Sequence, residues 1–231
     1  MTSSMIDIAS HDSQTFQGYL ALPPTGKGPG VVLIQEIFGV NAHIRAVADQ
    51  YALDGYVVLA PDLFWRQKPG VQLGYTEADF GAALGFMQAM DFAQAIQDLT
   101  STVAALRTHE RCTGKVASLG YCMGGLLSYL SAANAGVDAA VCYYPGSIET
   151  RLDQADRVRC PILIHFAEQD HYISADAVKA VKTRFADAKN AVIEVYPGVD
   201  HGFNCWERPA YNQKTSSLAH GLSLSFLSKA Y

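Results

Sequence analysis

The stretch Gly120-Tyr121-Cys122-Met123-Gly124-Gly125 constrains this chain more than any other. A short apolar run, Lys115–Leu119, precedes it, and helix-compatible residues, Leu126–Asn134, follow it. Strand, sharp turn and helix in that order make a nucleophile elbow, here in the form G-x-C-x-G rather than G-x-S-x-G. The turn forces its central residue into strained backbone angles, and the flanking glycines let strand and helix pass each other closely. Cys122 then stands at a helix N-terminus, where the dipole favours a thiolate. What remains to be found is the set of groups such a nucleophile needs.

Apolar strands alternate with helical patterns along the rest of the chain. Met5–Ile8 and Thr15–Leu22 read as an N-terminal β-hairpin, and Pro23–Gly30 as a turn-rich loop. Val31–Gln35, Tyr56–Ala60, Asp138–Tyr144, Pro161–Phe166 and Ala191–Tyr196 read as buried strands. Helices are expected from a cap at Asn41 to Ala52, over Glu77–Met90 with a stripe of Phe80, Leu84 and Met87, and from Phe92 through Leu106. Two more are expected over Ala175–Ala188 and Pro209–Ser228, the last burying Leu218, Leu222 and Phe226. This alternation predicts an α/β fold: a mostly parallel central sheet, helices on both faces and an antiparallel hairpin at one edge. No linker or repeat interrupts residues 1–231, so one domain without a separate lid is expected.

Composition narrows the partners. With a net charge of −5 and no basic run, nothing is available to neutralise phosphates, so no nucleic-acid partner is expected. Val116–Val137 carries no charge, but glycines, serines and an asparagine dilute it, and no membrane association is expected. Met1–Ser10 lacks a basic region and an apolar core, which points to a cytoplasmic chain. Cysteines at 112, 122, 142, 160 and 205 form no C-x-x-C pair and read as free thiols in a reducing compartment. No cofactor and no metal is expected, because no His, Cys and carboxylate group shows ligand spacing along the chain. The expected state is a monomer or a small homo-oligomer.

Sites in open α/β sheets gather at the C-terminal ends of the strands. The polar residues at such ends are Glu36, Cys122, Asp170 and His201, with Asp62 reading as a loop cap. Cys122, Asp170 and His201 follow the order nucleophile, acid, histidine of α/β-hydrolases. A thiol attacking a carbonyl needs a base, which an imidazole supplies, and a carboxylate fixes the imidazole's tautomer. Amides of Ile37 and Met123 are the candidate oxyanion hole. Glu36 ends a buried strand, a costly place for a carboxylate without a task. His11, His43, His109, His165, His171 and His220 read as surface or packing residues.

The matching stretches then accumulate: Gln35-Glu36-Ile37-Phe38-Gly39, Ala60-Pro61-Asp62-Leu63-Phe64, the cysteine elbow, Tyr143-Tyr144, Gln169-Asp170 and His201-Gly202-Phe203. With them the chain resembles the dienelactone hydrolases, or carboxymethylenebutenolidases. The resemblance implies a compact α/β-hydrolase fold with Cys122 as nucleophile, His201 as base and Asp170 as its orienter. It implies that Glu36 holds the cysteine as a neutral thiol until substrate arrives, and that the reaction opens a small unsaturated lactone through a thioester acyl-enzyme.

One part of the family pattern is missing. Members grip a substrate carboxylate with two arginines, one from the helical stretch over the site and one four residues after the histidine. Here Pro69–Leu106 holds no lysine or arginine, and the second position is Cys205. Arg208 is a candidate replacement for one arm, and Arg66 or Lys68 for the other. Phe38, Trp65, Phe80, Tyr144 and Trp206 are candidates to line a more apolar pocket instead. The expected function is therefore hydrolysis of a small lactone or activated ester. A carboxylesterase or thioesterase of a more apolar substrate is the nearer alternative, and a thiol sensor without turnover the more distant one.

Overall fold

The apolar runs become the middle of an eight-stranded sheet, in a computed structural model that describes residues 2–231. β1 (Thr2–Ala9) and β2 (Thr15–Leu22) form the expected antiparallel hairpin, and β2 pairs antiparallel with β4 (Val57–Pro61). From there β3 (Gly28–Ile34), β5 (Cys112–Tyr121), β6 (Ala139–Tyr143), β7 (Ile162–Ala167) and β8 (Ala191–Tyr196) follow side by side and parallel. The helices α1 (Ala42–Leu53), α2 (Glu77–Gln88), α3 (Phe92–Thr108), α4 (Met123–Asn134), α5 (Ala175–Arg184) and α6 (Gln213–Ala230) cover both faces. This is the α/β-hydrolase fold.

Strands covered on both faces need continuous apolar runs. Val31–Ile34, Val57–Ala60 and Ala139–Tyr143 are accordingly inaccessible to solvent. Each large aliphatic side chain buried there contributes about 1.5–3 kcal/mol. Helix starts follow local chemistry. The Asn41 side chain accepts from the Ile44 amide at 3.1 Å, and Thr76 and Asp79 close a capping box at the start of α2.

Differences from the sequence reading have local causes. β3 begins at Gly28, inside the expected loop, because the segment pairs with Cys112 at the start of β5. A 3₁₀ segment, Ile148–Arg157, escapes notice because its residues are mostly polar. α6 buries Ala219, Ser223 and Leu227 and leaves Leu218 53% exposed and Leu222 exposed, while Phe226 packs part-buried against the core as expected. The reason is a buried polar chain. Ser223 Oγ lies 2.8 Å from Tyr143 Oη and 3.0 Å from His165 Nε2, and His165 Nδ1 lies 2.8 Å from Tyr196 Oη. A serine that satisfies two buried partners sets the helix's rotation more firmly than an apolar stripe does.

His165 is thus a satisfied core residue, and burial pulls its pKa down from 6.5 to about 3. A depressed histidine contributes stability above its unfolded pKa of 6.5 and loses it as pH falls toward 3. His165→Gln, which cannot titrate, is expected to flatten the loss of stability between those limits by up to about 1.4 kcal/mol per pH unit. Urea unfolding at a series of pH values checks this; parallel wild-type and variant curves would refute it.

Candidate active site

The elbow is built by exclusion of side chains. A Cβ on Gly120 would collide with the Gly124 carbonyl, and one on Gly124 with the carbonyls of Ile34 and Gln35. Only glycine lets β5, the first turn of α4 and the end of β3 meet this closely. Between those glycines Cys122 adopts φ 56°, ψ −119°, a conformation that costs a non-glycine residue about 1–3 kcal/mol. It is clamped there. Its amide donates to the Tyr143 carbonyl at 3.0 Å, and its carbonyl accepts from Gly125 at 2.9 Å and Leu126 at 3.2 Å.

Asp170 follows β7 and His201 follows β8, and the loops bring them together. His201 Nδ1 lies 2.8 Å from Asp170 Oδ2, with both side chains buried. The other carboxylate oxygen of Asp170 accepts from the amides of Tyr172 at 2.8 Å and Ile173 at 3.0 Å. The acid is therefore fixed by backbone before it meets the imidazole. Nδ1 is committed to the carboxylate, which leaves Nε2 buried with no partner of its own among the described residues. Burial alone would lower the imidazole's pKa, but neighbouring Cys122 and Asp170 outweigh it and raise His201 to about 10. Cys122 is near enough to exert that influence, yet makes no hydrogen bond to Nε2 among the described residues.

Cys122, His201, Ile37 and Met123 all border one cavity of about 640 Å³. The Ile37 and Met123 amides donate to no other group among the described residues. Most of the wall is apolar: Phe38, Phe80, Leu84, Met87, Met90, Phe92 and Leu126. Phe38 and Phe80 are therefore where expected. Three other expected lining residues are not. Trp65 stacks on Phe16 at 5.2 Å and donates through Nε1 to the buried Asp98 at 2.9 Å. Tyr144 is fully buried, packed 4.8 Å from the His201 ring. Trp206 lies edge-on to His43 at 4.2 Å, outside the cavity.

Of the candidate cations, Arg208 reaches the cavity and Arg66 and Lys68 do not. Arg66 is consumed by Asp98 and Asp12, both at 2.8 Å, and Lys68 is not on the wall. Arg208 does border the cavity, and it lies 3.4 Å from Glu36 Oε1. Its guanidinium rests on Gly202, whose φ of 81° and missing side chain make the contact possible. Arg151, Ser147 and Thr150, from the unforeseen 3₁₀ segment, add a polar stretch of wall. Tyr172, two residues past Asp170, packs its ring 5.0 Å from His201.

Glu36 is buried, and its carboxylate is hydrogen-bonded to Arg208 and Tyr75 rather than to the thiol. Oε1 accepts from Arg208 and Oε2 from the Tyr75 hydroxyl at 3.2 Å, while no hydrogen bond links it to Cys122. Burial raises its pKa, and Arg208, His201 and Tyr75 only partly offset this. Restraint of a neutral Cys122 by Glu36, implied by the resemblance, is thus not seen in this arrangement. His43 and Cys205 lie beside Glu36, a grouping that spacing along the chain conceals. His171 pairs with Asp200 at 2.6 Å on the surface, and the same Asp200 accepts from the His201 amide at 2.6 Å.

Residues 16–231 match the model of the dienelactone hydrolase family. The chain belongs to that family. It is 32% identical over 230 residues to the carboxymethylenebutenolidase of Pseudomonas sp. (strain P51), covering 99% of this chain and 96% of that one. It is 33% identical to the Pseudomonas putida carboxymethylenebutenolidase, covering 98% and 97%. Among solved structures, a Klebsiella pneumoniae protein assigned to the dienelactone hydrolases superposes with a TM-score of 0.86 at 27% identity, over 98% of both chains. As a dienelactone hydrolase-family member the chain is a hydrolase of small molecules. No helix of the described residues is long and apolar enough to cross a membrane.

The Glu36–Arg208 pair invites a direct test. Arg208→Gln leaves a buried carboxylate without its cation, and Glu36→Gln removes the charge that needs one. A double-mutant cycle from urea unfolding is expected to give a coupling of about 0.5–3 kcal/mol. A coupling indistinguishable from zero would mean that Tyr75 and burial alone set the state of Glu36.

Proposed function

We propose that this hydrolase opens small lactones or activated esters through a thioester on Cys122, and that its substrates carry an apolar body. The observation that carries the reading is the convergence of Cys122 in its strained turn, His201 on its Asp170 anchor, and two unused amides on one cavity. The Cys122 proton passes first to His201 Nε2, and the thiolate beside the imidazolium attacks the carbonyl carbon. The Ile37 and Met123 amides hold the oxyanion. Collapse expels the alkoxide or enolate, which takes the proton from His201, and the thioester forms. His201 then draws a proton from water, whose oxygen attacks the thioester and restores the thiol. The raised pKa of His201 suits a base that must keep its proton beside a thiolate before handing it on.

Cys122→Ala is expected to reduce hydrolysis of an aryl ester by about three orders of magnitude or more, with circular dichroism unchanged. Undiminished turnover in that variant would dismiss the mechanism. A thiol sensor would instead show stoichiometric labelling without steady turnover.

The wall favours apolar over charged substrates. Phe80, Leu84 and Met87 of α2 face the site where the family pattern has an arginine, and Arg208 is engaged by Glu36. Neutral esters are therefore expected to be hydrolysed at least as well as their carboxylated analogues, judged by kcat/KM. Arg151 is the cavity cation whose guanidinium makes no hydrogen bond or ion pair among the described residues. If carboxylated substrates prove the better ones, Arg151→Gln identifies the cause: it lowers their kcat/KM and spares the neutral esters.

A further inference from the structure

A second cluster of reactive side chains lies beside the cavity but outside its lining. It joins Glu36 at the end of β3, His43 in the first turn of α1 and Cys205 in the loop after β8. One ligand atom from each lies within 4.8 Å of the others, and all three residues are buried. Their ordinary partners are poor. Nδ1 of His43 has none, though the residue is 1% exposed. Glu36 is held only by contacts of 3.4 and 3.2 Å, long for a carboxylate, whose charge-assisted bonds are usually about 2.7–2.9 Å. Cys205 Sγ has only weak neighbours, the Tyr75 hydroxyl and the Glu207 amide. Buried polar groups left this way call for an explanation, and an ion or a water is the usual one. A water would suit the imidazole and the carboxylate, but it gains little from a thiol. A thiophilic cation uses all three.

We propose that Glu36, His43 and Cys205 form a binding site for one thiophilic divalent cation, Zn2+ foremost. Thiolate, imidazole and carboxylate are together the donor set of zinc, which bonds them at about 2.0–2.3 Å in a tetrahedron. Those bonds put ligand atoms about 3.3–3.7 Å apart, so the cluster closes by roughly an ångström on binding. Cys205 gives up its proton to solvent as the Zn–S bond forms, and His43 binds in its neutral form. Nothing is oxidised or reduced. Two anionic ligands balance the ion's charge, and a water fills the fourth position. Arg208, beside Glu36, opposes the cation and keeps the affinity below that of a structural zinc site. Trp206, 41% exposed and packed on the His43 ring, is the cover through which the ion enters. Occupancy replaces the long contacts of Glu36 with a bond to the metal. The proposal stands apart from the catalytic reading, because Cys122 takes no part in the site.

Cobalt gives a readout independent of activity. Reduced, chelator-treated Cys122→Ser protein titrated with Co2+ is expected to bind one equivalent. A thiolate-to-cobalt charge-transfer band and intense tetrahedral d–d bands should appear and be bleached by Zn2+. Adding Cys205→Ser should abolish the charge-transfer band. His43→Gln, a gentler change, should weaken Zn2+ binding by at least about tenfold, with folding verified by circular dichroism. Failure to bind a stoichiometric ion at micromolar Co2+ or Zn2+ would overturn the proposal. A charge-transfer band that survives Cys205→Ser would do so too, by placing the thiolate ligand at another cysteine.

Discussion

Everything at this site depends on how closely three backbones approach at the elbow. The carbonyl of Gly124 occupies the space a side chain at 120 would need, and the carbonyls of Ile34 and Gln35 do the same to position 124. That contact fixes β3, β5 and α4 relative to one another. It also forces Cys122 to the positive φ that lifts its thiol to the cavity. Ile37 lies three residues beyond Ile34 and Met123 directly follows Cys122, so the same contact places both candidate oxyanion amides. The strain at Cys122 is tolerated because β5 is buried from Val116 to Tyr121 and β3 from Gly30 to Ile34, which contribute far more than the turn costs.

Two buried acids then divide the electrostatic work. Asp170 has backbone amides on one oxygen and His201 on the other, so it is held in place as an orienter without an arginine. Glu36 lacks amide donors and leans on Arg208 and Tyr75 across longer contacts, so burial dominates it and its pKa rises. Similar burial produces different chemistry because the partners differ. His43 shows the same rule from the basic side: burial, then Arg208, pulls it down to about 4, and it remains neutral beside the guanidinium.

Much of this was legible in the sequence, for definite reasons. Strand ends are marked by where apolar runs stop, so Glu36, Cys122, Asp170 and His201 could be placed at one edge of the sheet without any structure. The hairpin, the elbow and the α1 cap at Asn41 are local patterns and appear where expected. The direction an aromatic points is not local. Trp65 and Trp206 sit near the site along the chain, but each is drawn elsewhere by a partner distant in sequence, Asp98 and His43, while Tyr144 is buried against the His201 ring rather than on the cavity wall. Rotation of α6 likewise follows from Tyr143 and His165, tens of residues away. Arg151 was hidden because a polar 3₁₀ turn leaves no periodic signal.

The loop after His201 shows how a position can be emptied and refilled. The family pattern expected from the sequence has an arginine four residues past the histidine, where this chain has Cys205. The segment here winds back on itself: the Cys205 amide donates to the Gly202 carbonyl at 2.9 Å, Arg208 to Cys205 at 3.0 Å and Tyr211 to Arg208 at 3.0 Å. Asn212 then closes the loop onto Phe203 at 3.0 Å. Successive turns return the Arg208 guanidinium to the space above Gly202, next to Glu36, so the cation reaches the carboxylate from seven residues away. Position 205 is thereby released from carrying charge and buried as a thiol against Glu36, where burial and then the carboxylate push its pKa up to about 12. An arginine brought in by a longer path keeps Glu36 company, but it approaches across the cavity edge and holds the carboxylate at 3.4 Å. That looseness leaves Arg208 a weaker grip on any substrate carboxylate than a dedicated bidentate arginine has. On the proposed reading it is the apolar wall of α2, rather than a charge clamp, that sets which substrates are accepted.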